Sequence, residues 1–185
     1  MNKKTLVVYF SATGTTARAA REIAEAAGAD LYALTPAEPY TRADLDWTDK
    51  KSRTTMESHD PACRPALAGR LPDLSGYDTV VLGFPIWWYE EPRIVDTFLE
   101  TCGLSGKTVI PFATSGGSGI TRAEQSLRAH APGASWQKGA LLNSGAAAWA
   151  KRVLKKMSPS MRKHTLHSTS SGRSSFFPAR KEGIS

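Results

Sequence analysis

Five short apolar runs set the pattern of the chain, and each has the length of a buried strand. They cover residues 6–10, 29–34, 77–84, 107–113 and 138–142. β-Branched and aromatic residues supply much of the first run, as in Val7, Val8 and Phe10. The run 77–84 has a continuous apolar centre, which predicts a strand covered on both faces, as in a parallel sheet.

Helical periodicity follows four of these runs. After the first, third and fifth runs, apolar residues recur at the i, i+3, i+4 spacing of one helix face. The three sets are Ala17, Ala20, Ile23, Ala24 and Ala27; Ile94, Val95, Phe98, Leu99 and Cys102; and Ala146, Trp149, Ala150, Val153 and Met157. Pro92 suits a first helical turn, and a further helix is predicted over 121–131. Alternating strands and helices pair in parallel through right-handed crossovers, so we predict a single doubly wound, three-layer α/β domain.

The stretch between the second and third strands is harder to assign. Two prolines, Pro36 and Pro39, exclude regular structure at its start. Residues 42–58 are polar and charged with few apolar anchors. An exposed helix capped near Thr41 is the prediction for this segment.

Composition narrows the class of protein. The chain has 185 residues, of which 41% are hydrophobic, which suits one domain with a substantial core. No apolar run approaches the roughly 20 residues of a membrane span. The run after Lys4 is too short for a signal-peptide core, so a cytoplasmic protein is expected. In that compartment Cys63 and Cys102 are expected to be reduced, partly buried thiols.

The formal net charge of +7 lies in the C-terminal tail. Residues 1–150 contain 15 Lys+Arg and 16 Asp+Glu, which gives −1, whereas residues 151–185 contain nine basic residues and one acid, which gives +8. The main part of the chain therefore has no basic surface that would indicate nucleic-acid binding.

Beyond Met157 the sequence is rich in Ser, Lys, Arg and His and loses its periodicity. We predict a domain over 1–157 and a disordered, basic tail over 158–185. Phe176 and Phe177 among basic residues could contact a membrane or a nucleic acid. A C-terminus without a selected role accounts for the tail equally well, and a metal site is not expected from His164 and His167.

A loop of hydroxyl residues joins the first strand to the first helix. This strand–loop–helix arrangement points free backbone N–H groups and the positive end of a helix at one place, which attracts phosphate. The loop lacks the Gly-Lys-Ser/Thr of nucleoside-triphosphate loops and the three glycines of dinucleotide loops. Neutral donors would instead surround a phosphate monoester; the candidate residues are Ser11, Thr13, Gly14, Thr15 and Thr16. The alternative is that Thr15 or Thr16 only caps the helix.

Two further loops follow the third and fourth strands and should meet the first loop at the carboxyl edge of the sheet. The first of these contains Pro85, Ile86, Trp87, Trp88 and Tyr89. Three consecutive aromatic residues cannot all face a core, so at least one ring is available to stack on a planar ligand; a plug over the sheet edge or a partner interface is the alternative.

The other loop contains Thr114, Ser115, Gly116 and Gly117, and continues to Gly119. Its small residues allow close approach of backbone and offer N–H donors, unless it is simply a flexible turn. Together the three loops predict a site for a phosphorylated, flat aromatic molecule. No Cys/His pair, carboxylate pair or hydroxyl triad indicates catalysis by side chains, so any redox chemistry would belong to a cofactor.

The chain resembles the flavodoxin family, and more narrowly the short flavodoxin-like proteins of bacteria. The resemblance covers roughly residues 4–143, and the matching stretches are 9–16, 35–40, 64–67, 82–88 and 114–119. It implies a sheet in the order 2-1-3-4-5 and one non-covalently bound FMN. It places the phosphate at Ser11, Thr13, Gly14, Thr15 and Thr16, and the ring between Pro85, Ile86, Trp87, Trp88 and Tyr89 and Thr114, Ser115, Gly116 and Gly117.

Two features depart from the family. Electron-carrier flavodoxins are usually markedly acidic, whereas residues 1–150 carry only −1. The last helix also follows the fifth strand after a connection of only Asn143, Ser144 and Gly145. The first departure places electrostatic docking to a basic reductase in doubt.

Three functions remain on these grounds. The first is low-potential electron transfer by bound FMN to a redox partner protein or a small quinone, since a neutral phosphate pocket and stacked rings disfavour a negatively charged reduced flavin. The second is an NAD(P)H-dependent quinone or flavin oxidoreductase, which needs room for a second planar molecule. The third is a binding protein that acts through its basic tail.

Overall fold

A parallel sheet forms the middle layer of the computed structural model, which describes residues 4–157. Its strands within that range are β1 (Thr5–Tyr9), β2 (Asp30–Ala33), β3 (Thr79–Pro85), β4 (Thr108–Thr114), β5 (Ser135–Trp136) and β6 (Ala140–Leu141). They lie in the order β2-β1-β3-β4-β5, and β6 also pairs with β4. Every one of these pairings is parallel. The predicted order 2-1-3-4-5 and the doubly wound α/β fold are confirmed.

Helices cover both faces of the sheet. Those of the described part are α1 (Thr15–Ala27), α2 (Arg53–His59), α3 (Arg93–Thr101), α4 (Thr121–His130) and α5 (Ala146–Met157). The buried residues of α1 and α5 form one core with Val7, Val81 and Ile110 of the sheet. Those of α3 and α4 form a second core on the other face, with Leu6, Val8 and other strand residues. The three layers therefore enclose two cores.

The predicted inward faces of the helices are largely as expected. Ala17, Ala20, Ile23 and Ala24 are buried in α1, and Ile94, Val95, Phe98 and Leu99 are buried in α3. Ala27 and Cys102, at the ends of these two helices, are only half-buried. In α5 the buried residues are Ala146, Trp149 and Ala150, with Val153 packed beside them, while the side chain of Met157 lies outside the described part.

The predicted fifth strand is interrupted. The run 138–142 contributes only β6, and β5 precedes it, so that both pair with β4 in succession. On the side that faces β5 and β6, the carbonyls of residues 107, 109 and 113 accept hydrogen bonds from those strands and their flanking residues. Pro111 lies two residues from both 109 and 113, so its backbone faces the same side. Proline has no N–H to donate, and this missing hydrogen bond breaks the ladder between β5 and β6.

Turns replace most of the helix predicted over 42–58. Aspartate side chains accept hydrogen bonds from backbone N–H groups close by, as Asp46 does from Thr48 (3.0 Å) and Asp49 from Lys51 (2.8 Å). These local bonds compete with helix formation. The helix α2 begins only after Ser52, whose hydroxyl accepts the N–H of Thr55.

None of the described helices is long and apolar enough to cross a membrane. The predictions for the tail after Met157, including His164 and His167, fall on residues outside the described range.

Candidate functional site

A cavity of about 500 Å³ opens at the carboxyl edge of the sheet. Most of its lining comes from the last residues of β3 and β4 and from the residues that follow β1, β3 and β4, so the three predicted loops do meet. The lining residues are Ala12, Thr13, Thr15, Thr16, Leu45, Trp47, Thr54, Pro85, Ile86, Trp87, Trp88, Tyr89, Thr114 and Ser118. The volume falls within the range of about 300–1,000 Å³ typical of small-molecule sites.

One end of the cavity consists of hydroxyl groups at the start of α1. Gly14 caps the helix with a φ of 95°, a conformation that favours glycine, and its N–H donates to the Ser11 hydroxyl at 3.1 Å. The next N–H groups of the first turn have no partner within the helix. The side chains of Thr13 and Thr15 are exposed beside them. This end of the cavity therefore presents neutral donors and a positive helix terminus.

Thr16 ties this end to β4. Its side chain is buried, and its hydroxyl oxygen lies 2.8 Å from that of Thr114, which is buried as well. The carbonyl of Thr114 accepts the N–H of Ile86 at 2.9 Å. The ends of β4 and β3 and the start of α1 are thus joined by two hydrogen bonds.

A tight turn carries two of the aromatic side chains. Trp87 and Glu90 exchange backbone hydrogen bonds of 2.9 and 3.1 Å, with Trp88 and Tyr89 between them. Both central residues have positive φ, 46° for Trp88 and 71° for Tyr89. Positive φ at both positions characterises the type I′ turn, where Asn-Gly is the usual pair. Two large aromatic residues are strained in this conformation.

The indole of Trp87 is fixed by two edge-on aromatic contacts. Its centroid lies 5.6 Å from that of Phe10 and 5.6 Å from that of Tyr40. The hydroxyl of Tyr40 donates to Glu57 at 2.7 Å, and the guanidinium of Arg53 lies 4.1 Å above its ring. Burial, reinforced by the Glu57 carboxylate, raises the pKa of Tyr40 well above its ordinary value. The Trp87 ring therefore has its orientation before any ligand binds.

The glycine-rich loop is held from behind by Asn143. The amide of Asn143 accepts from the N–H of Ser115 at 2.9 Å and donates to the carbonyl of Ser115 at 2.7 Å. The hydroxyl of Ser115 accepts in turn from the N–H groups of Gly117 and Ser118, at 3.1 and 2.8 Å. Three of the N–H groups in this loop are thus used within the protein itself.

The predicted site residues divide into two groups. Those that line the cavity are Thr13, Thr15, Thr16, Pro85, Ile86, Trp87, Trp88, Tyr89 and Thr114. Ser11, Gly14, Ser115, Gly116 and Gly117 belong to the same loops but do not line it. They shape the loops rather than the cavity surface, as the bonds from Gly14 to Ser11 and from Gly117 to Ser115 illustrate.

Sequence reasoning missed one wall of the cavity. Leu45, Trp47 and Thr54 come from the turns before α2 and from its first residues. Trp47 is 74% exposed, and a lone tryptophan in a polar segment was the available signal. The two hydrogen bonds between Asn143 and the backbone of Ser115 were also not predicted, because nothing in the sequence shows which backbone groups that amide reaches.

Charge is absent from this cavity surface: none of its fourteen lining residues in the described part is Asp, Glu, Lys, Arg or His. An anionic group at the α1 end would therefore be held by hydroxyls, backbone N–H groups and the helix terminus. Such a site can bind a phosphate and stack a flat ring, but its side chains offer no acid, base or nucleophile of perturbed pKa.

A family model described as flavodoxin matches residues 4–157, and comparison with curated proteins gives no match. Crystal structures of two Bacteroides proteins described as candidate flavoproteins are similar. The one from Bacteroides eggerthii is 49% identical, with a TM-score of 0.80, over 84% of this chain and 98% of its own. The one from Bacteroides uniformis is 53% identical, with a TM-score of 0.79, over 84% and 99%.

A more distant structure shares the fold. It is a flavoprotein from Lactobacillus acidophilus NCFM in complex with FMN, 23% identical, with a TM-score of 0.64, over 80% of this chain and 99% of its own. The family model covers most of the chain, and the strand order observed here is the one that the flavodoxin resemblance implied. This chain belongs to the flavodoxin family.

Proposed function

We propose that the cavity binds FMN and that the protein transfers electrons at low potential. The observation that carries the proposal is the division of one uncharged cavity into a hydroxyl end and an aromatic end. Membership of the flavodoxin family and the FMN complex of the Lactobacillus protein support the same ligand. The bound flavin would supply the redox chemistry, and the chain would supply binding and orientation.

The phosphate would lie at the start of α1. Thr13 and Thr15 would donate their hydroxyls, and the first-turn N–H groups would donate from the backbone. Thr16 would contribute indirectly, since its hydroxyl is occupied by Thr114. Gly14 and Ser11 would keep the loop in the conformation that aims these groups at one point.

The flat ring system would lie against the turn that follows β3. Trp87 is fixed edge-on by Phe10 and Tyr40, while Trp88 and Tyr89 project from a strained turn. Stacked or edge-on aromatic contacts add about 0.5–1.5 kcal/mol each beyond the area that they bury. They also exclude water from the ring.

Flavin binding is tested on the purified full-length protein. We expect a yellow preparation that releases FMN on denaturation, and a stripped protein that quenches the fluorescence of added FMN at one site. Riboflavin should bind more weakly, because it lacks the phosphate. A stripped, folded protein that does not bind FMN would contradict the proposal.

A reductase is the second candidate, and one feature favours it. An open groove adjoins the cavity and shares Thr13, Leu45 and Trp47 with it; Arg42 and Asp46 complete its polar side. A groove with a cation and an exposed indole suits a second planar, anionic ligand such as a nicotinamide cofactor. Steady oxidation of NADPH or NADH in the presence of a quinone would establish that the protein is a reductase. If an FMN-loaded preparation shows no such oxidation, electron transfer without turnover of its own is the function that is left.

Several finer predictions rest on the sequence alone. They are the redox partner protein or quinone, the cytoplasmic location, the boundary at Met157 and any role of the basic tail. Residues 1–150 carry a formal charge of −1, which offers little electrostatic steering. We therefore expect any dependence of electron transfer on ionic strength to come from the basic residues after 150 rather than from residues 1–150.

A further inference from the structure

A group of ionisable side chains lies behind the Trp87–Glu90 turn, where the start of α3 meets the end of α4. Glu91, Asp96 and His130 each present one potential ligand atom, and these atoms lie within 4.8 Å of one another. Glu91 is 2% exposed and Asp96 is fully buried. None of the three lines the cavity proposed for FMN.

Three oxygens of this cluster have no hydrogen-bond partner among the residues that the structure describes. They are both carboxylate oxygens of Glu91 and Oδ1 of Asp96. Buried polar atoms are nearly always hydrogen-bonded, because the loss of water is otherwise uncompensated. Three such oxygens from two adjacent carboxyl groups mark a place for a positively charged ligand, although burial also raises the pKa of Glu91 to about 8 and so favours a proton there.

A neighbouring arginine supplies a positive partner to Asp96 but not to Glu91. Arg93 reaches Glu90 at 3.3 Å and Oδ2 of Asp96 at 3.4 Å, and Arg122 reaches Glu90 at 2.9 Å. In the described part of the chain no lysine, arginine or histidine forms an ion pair with Glu91. A buried carboxylate without a counter-charge costs several kcal/mol.

His130 is oriented to offer one lone pair to the same point. Its Nδ1 lies 2.9 Å from Oε1 of Glu100, and since a carboxylate only accepts, Nδ1 carries the proton. Glu100 is itself held by Arg64 through two bonds of 2.8 Å. A carboxylate that fixes the far nitrogen of a histidine is the usual support of metal-binding imidazoles.

The remaining nitrogen faces Asp96. Nε2 of His130 lies 3.6 Å from Oδ1 of Asp96, too far for a hydrogen bond. Two ligands of one tetrahedral zinc ion stand about 3.3 Å apart, given bond lengths of about 2.0–2.1 Å. The observed separation therefore suits two ligands of one ion better than a direct contact.

The cluster has access to solvent. A cavity of about 560 Å³ lies beside it and is lined by His130, Ser126, Arg93 and Glu90, among others. A cation could enter here, and water could complete its coordination. Two carboxylates and one imidazole suit a divalent transition metal, whereas Mg²⁺ and Ca²⁺ prefer sites built from oxygen alone.

We propose that Glu91, Asp96 and His130 bind a divalent transition-metal cation, with Zn²⁺ as the probe. The ion would supply Glu91 with a counter-charge and would bind Asp96 beside Arg93. It would also join Glu91, two residues before α3, to the last residue of α4, immediately behind the aromatic turn.

Calorimetric titration of the full-length, FMN-loaded protein with ZnCl₂ tests the site. We expect one zinc ion to bind tightly to each protein molecule. The affinity for zinc should fall about 100-fold or more in Glu91→Gln and in His130→Ala. The double variant His164→Ala/His167→Ala is the matched control. It removes two other histidines and should still bind one zinc ion tightly. Tight zinc binding that survives in both site variants, or no stoichiometric binding by the wild type, would overturn the proposal.

Thermal unfolding keeps the test independent of folding defects. Glu91→Gln preserves the shape of the side chain and removes its charge, so the metal-free variant should fold. Zinc should raise the Tm of the wild type and leave that of Glu91→Gln unchanged. Anomalous scattering from a zinc-containing crystal should place the ion among the three side chains, and a peak elsewhere would refute the assignment.

Discussion

Trp88 and Tyr89 adopt left-handed backbone conformations that large side chains rarely take up. The cost of this region is roughly 1–2 kcal/mol for each residue with a Cβ. The two hydrogen bonds between Trp87 and Glu90 and the ion pairs of Glu90 with Arg93 and Arg122 hold the turn in place. Such strain clusters at functional sites, so we expect the side chains of Trp88 and Tyr89 to contribute to binding in the cavity.

Tyr89→Gly separates strain from binding. Tyr89 is 60% exposed, so little burial is lost, and glycine accepts the positive φ. We expect the free energy of unfolding of the FMN-free protein to rise by about 1 kcal/mol, and FMN affinity to fall about tenfold. Tyr89→Ala is the control: it should lose the same affinity without the gain in stability. Urea denaturation and flavin titration measure the two effects, and equal stability of the two variants would argue against strain.

Thr15→Ala tests the phosphate end. A hydrogen bond to a charged group contributes about 1.5–3 kcal/mol, so FMN should bind at least about tenfold more weakly. Riboflavin, which has no phosphate, should bind with unchanged affinity. Thr101→Ala, at the far end of α3, is the matched control. A parallel loss of riboflavin affinity would show that Thr15 acts on the fold or the ring instead.

Single polar residues were the least predictable part of the chain. The inward face of α3 is evident from its apolar spacing, but the same helix also buries Arg93 and Asp96, which the pattern assigns to solvent. Asn143 reaches Ser115 across 28 positions of sequence. Partners of this kind are set by tertiary packing, and no local pattern records them.

At the scale of elements, the strands and helices that depend on apolar periodicity could be predicted from the sequence. Features that depend on contacts between distant segments could not. The runs that became β1, β3 and β4 are recognisable because their apolar residues face two cores, whereas the edge strand β2 is largely exposed. The break between β5 and β6 is not recognisable, since it results from Pro111 on the neighbouring strand. Likewise the turns over 42–52 depend on which backbone groups the aspartates reach.

The break between β5 and β6 is bridged by a side chain. The carboxylate of Glu124, on α4, accepts the N–H of Gly139 at 2.6 Å. We expect Glu124→Ala to lower the free energy of unfolding by about 1.5–3 kcal/mol, and Glu124→Gln to cost less because its amide oxygen still accepts. Gln125→Ala, exposed on the same helix, should change stability by less than about 0.5 kcal/mol. Denaturant titration measures the free energy of unfolding of each variant. If Glu124→Ala and Glu124→Gln lose the same stability, the hydrogen bond to Gly139 is not the cause of the loss.

At the scale of the whole molecule, charged side chains stay out of the described cavity lining, and Arg42 and Asp46 lie only in the adjoining groove. The described lining of the cavity is neutral, and residues 1–150 carry a net charge of only −1. A neutral, partly dry site stabilises an added negative charge poorly. It should therefore bind oxidised FMN more tightly than its reduced form.

The midpoint potential of bound FMN should accordingly lie below that of free FMN. Thr13→Lys places a cation in the lining and should raise the potential, while Thr13→Gln, of similar reach but neutral, should not. Potentiometric titration with a reference dye gives all three values. A wild-type potential above that of free FMN, or the same shift in both variants, would contradict the electrostatic argument.

The bond between Thr16 and Thr114 spans 98 positions, and Asn143 then secures the residue after Thr114. Contacts so distant in sequence form late, because the entropy of closing the intervening chain has to be overcome first. During synthesis the start of α1 leaves the ribosome long before its partner on β4 exists. The cavity is therefore complete only when the chain has been made through Asn143, which makes cofactor loading a step that follows synthesis of nearly the whole domain.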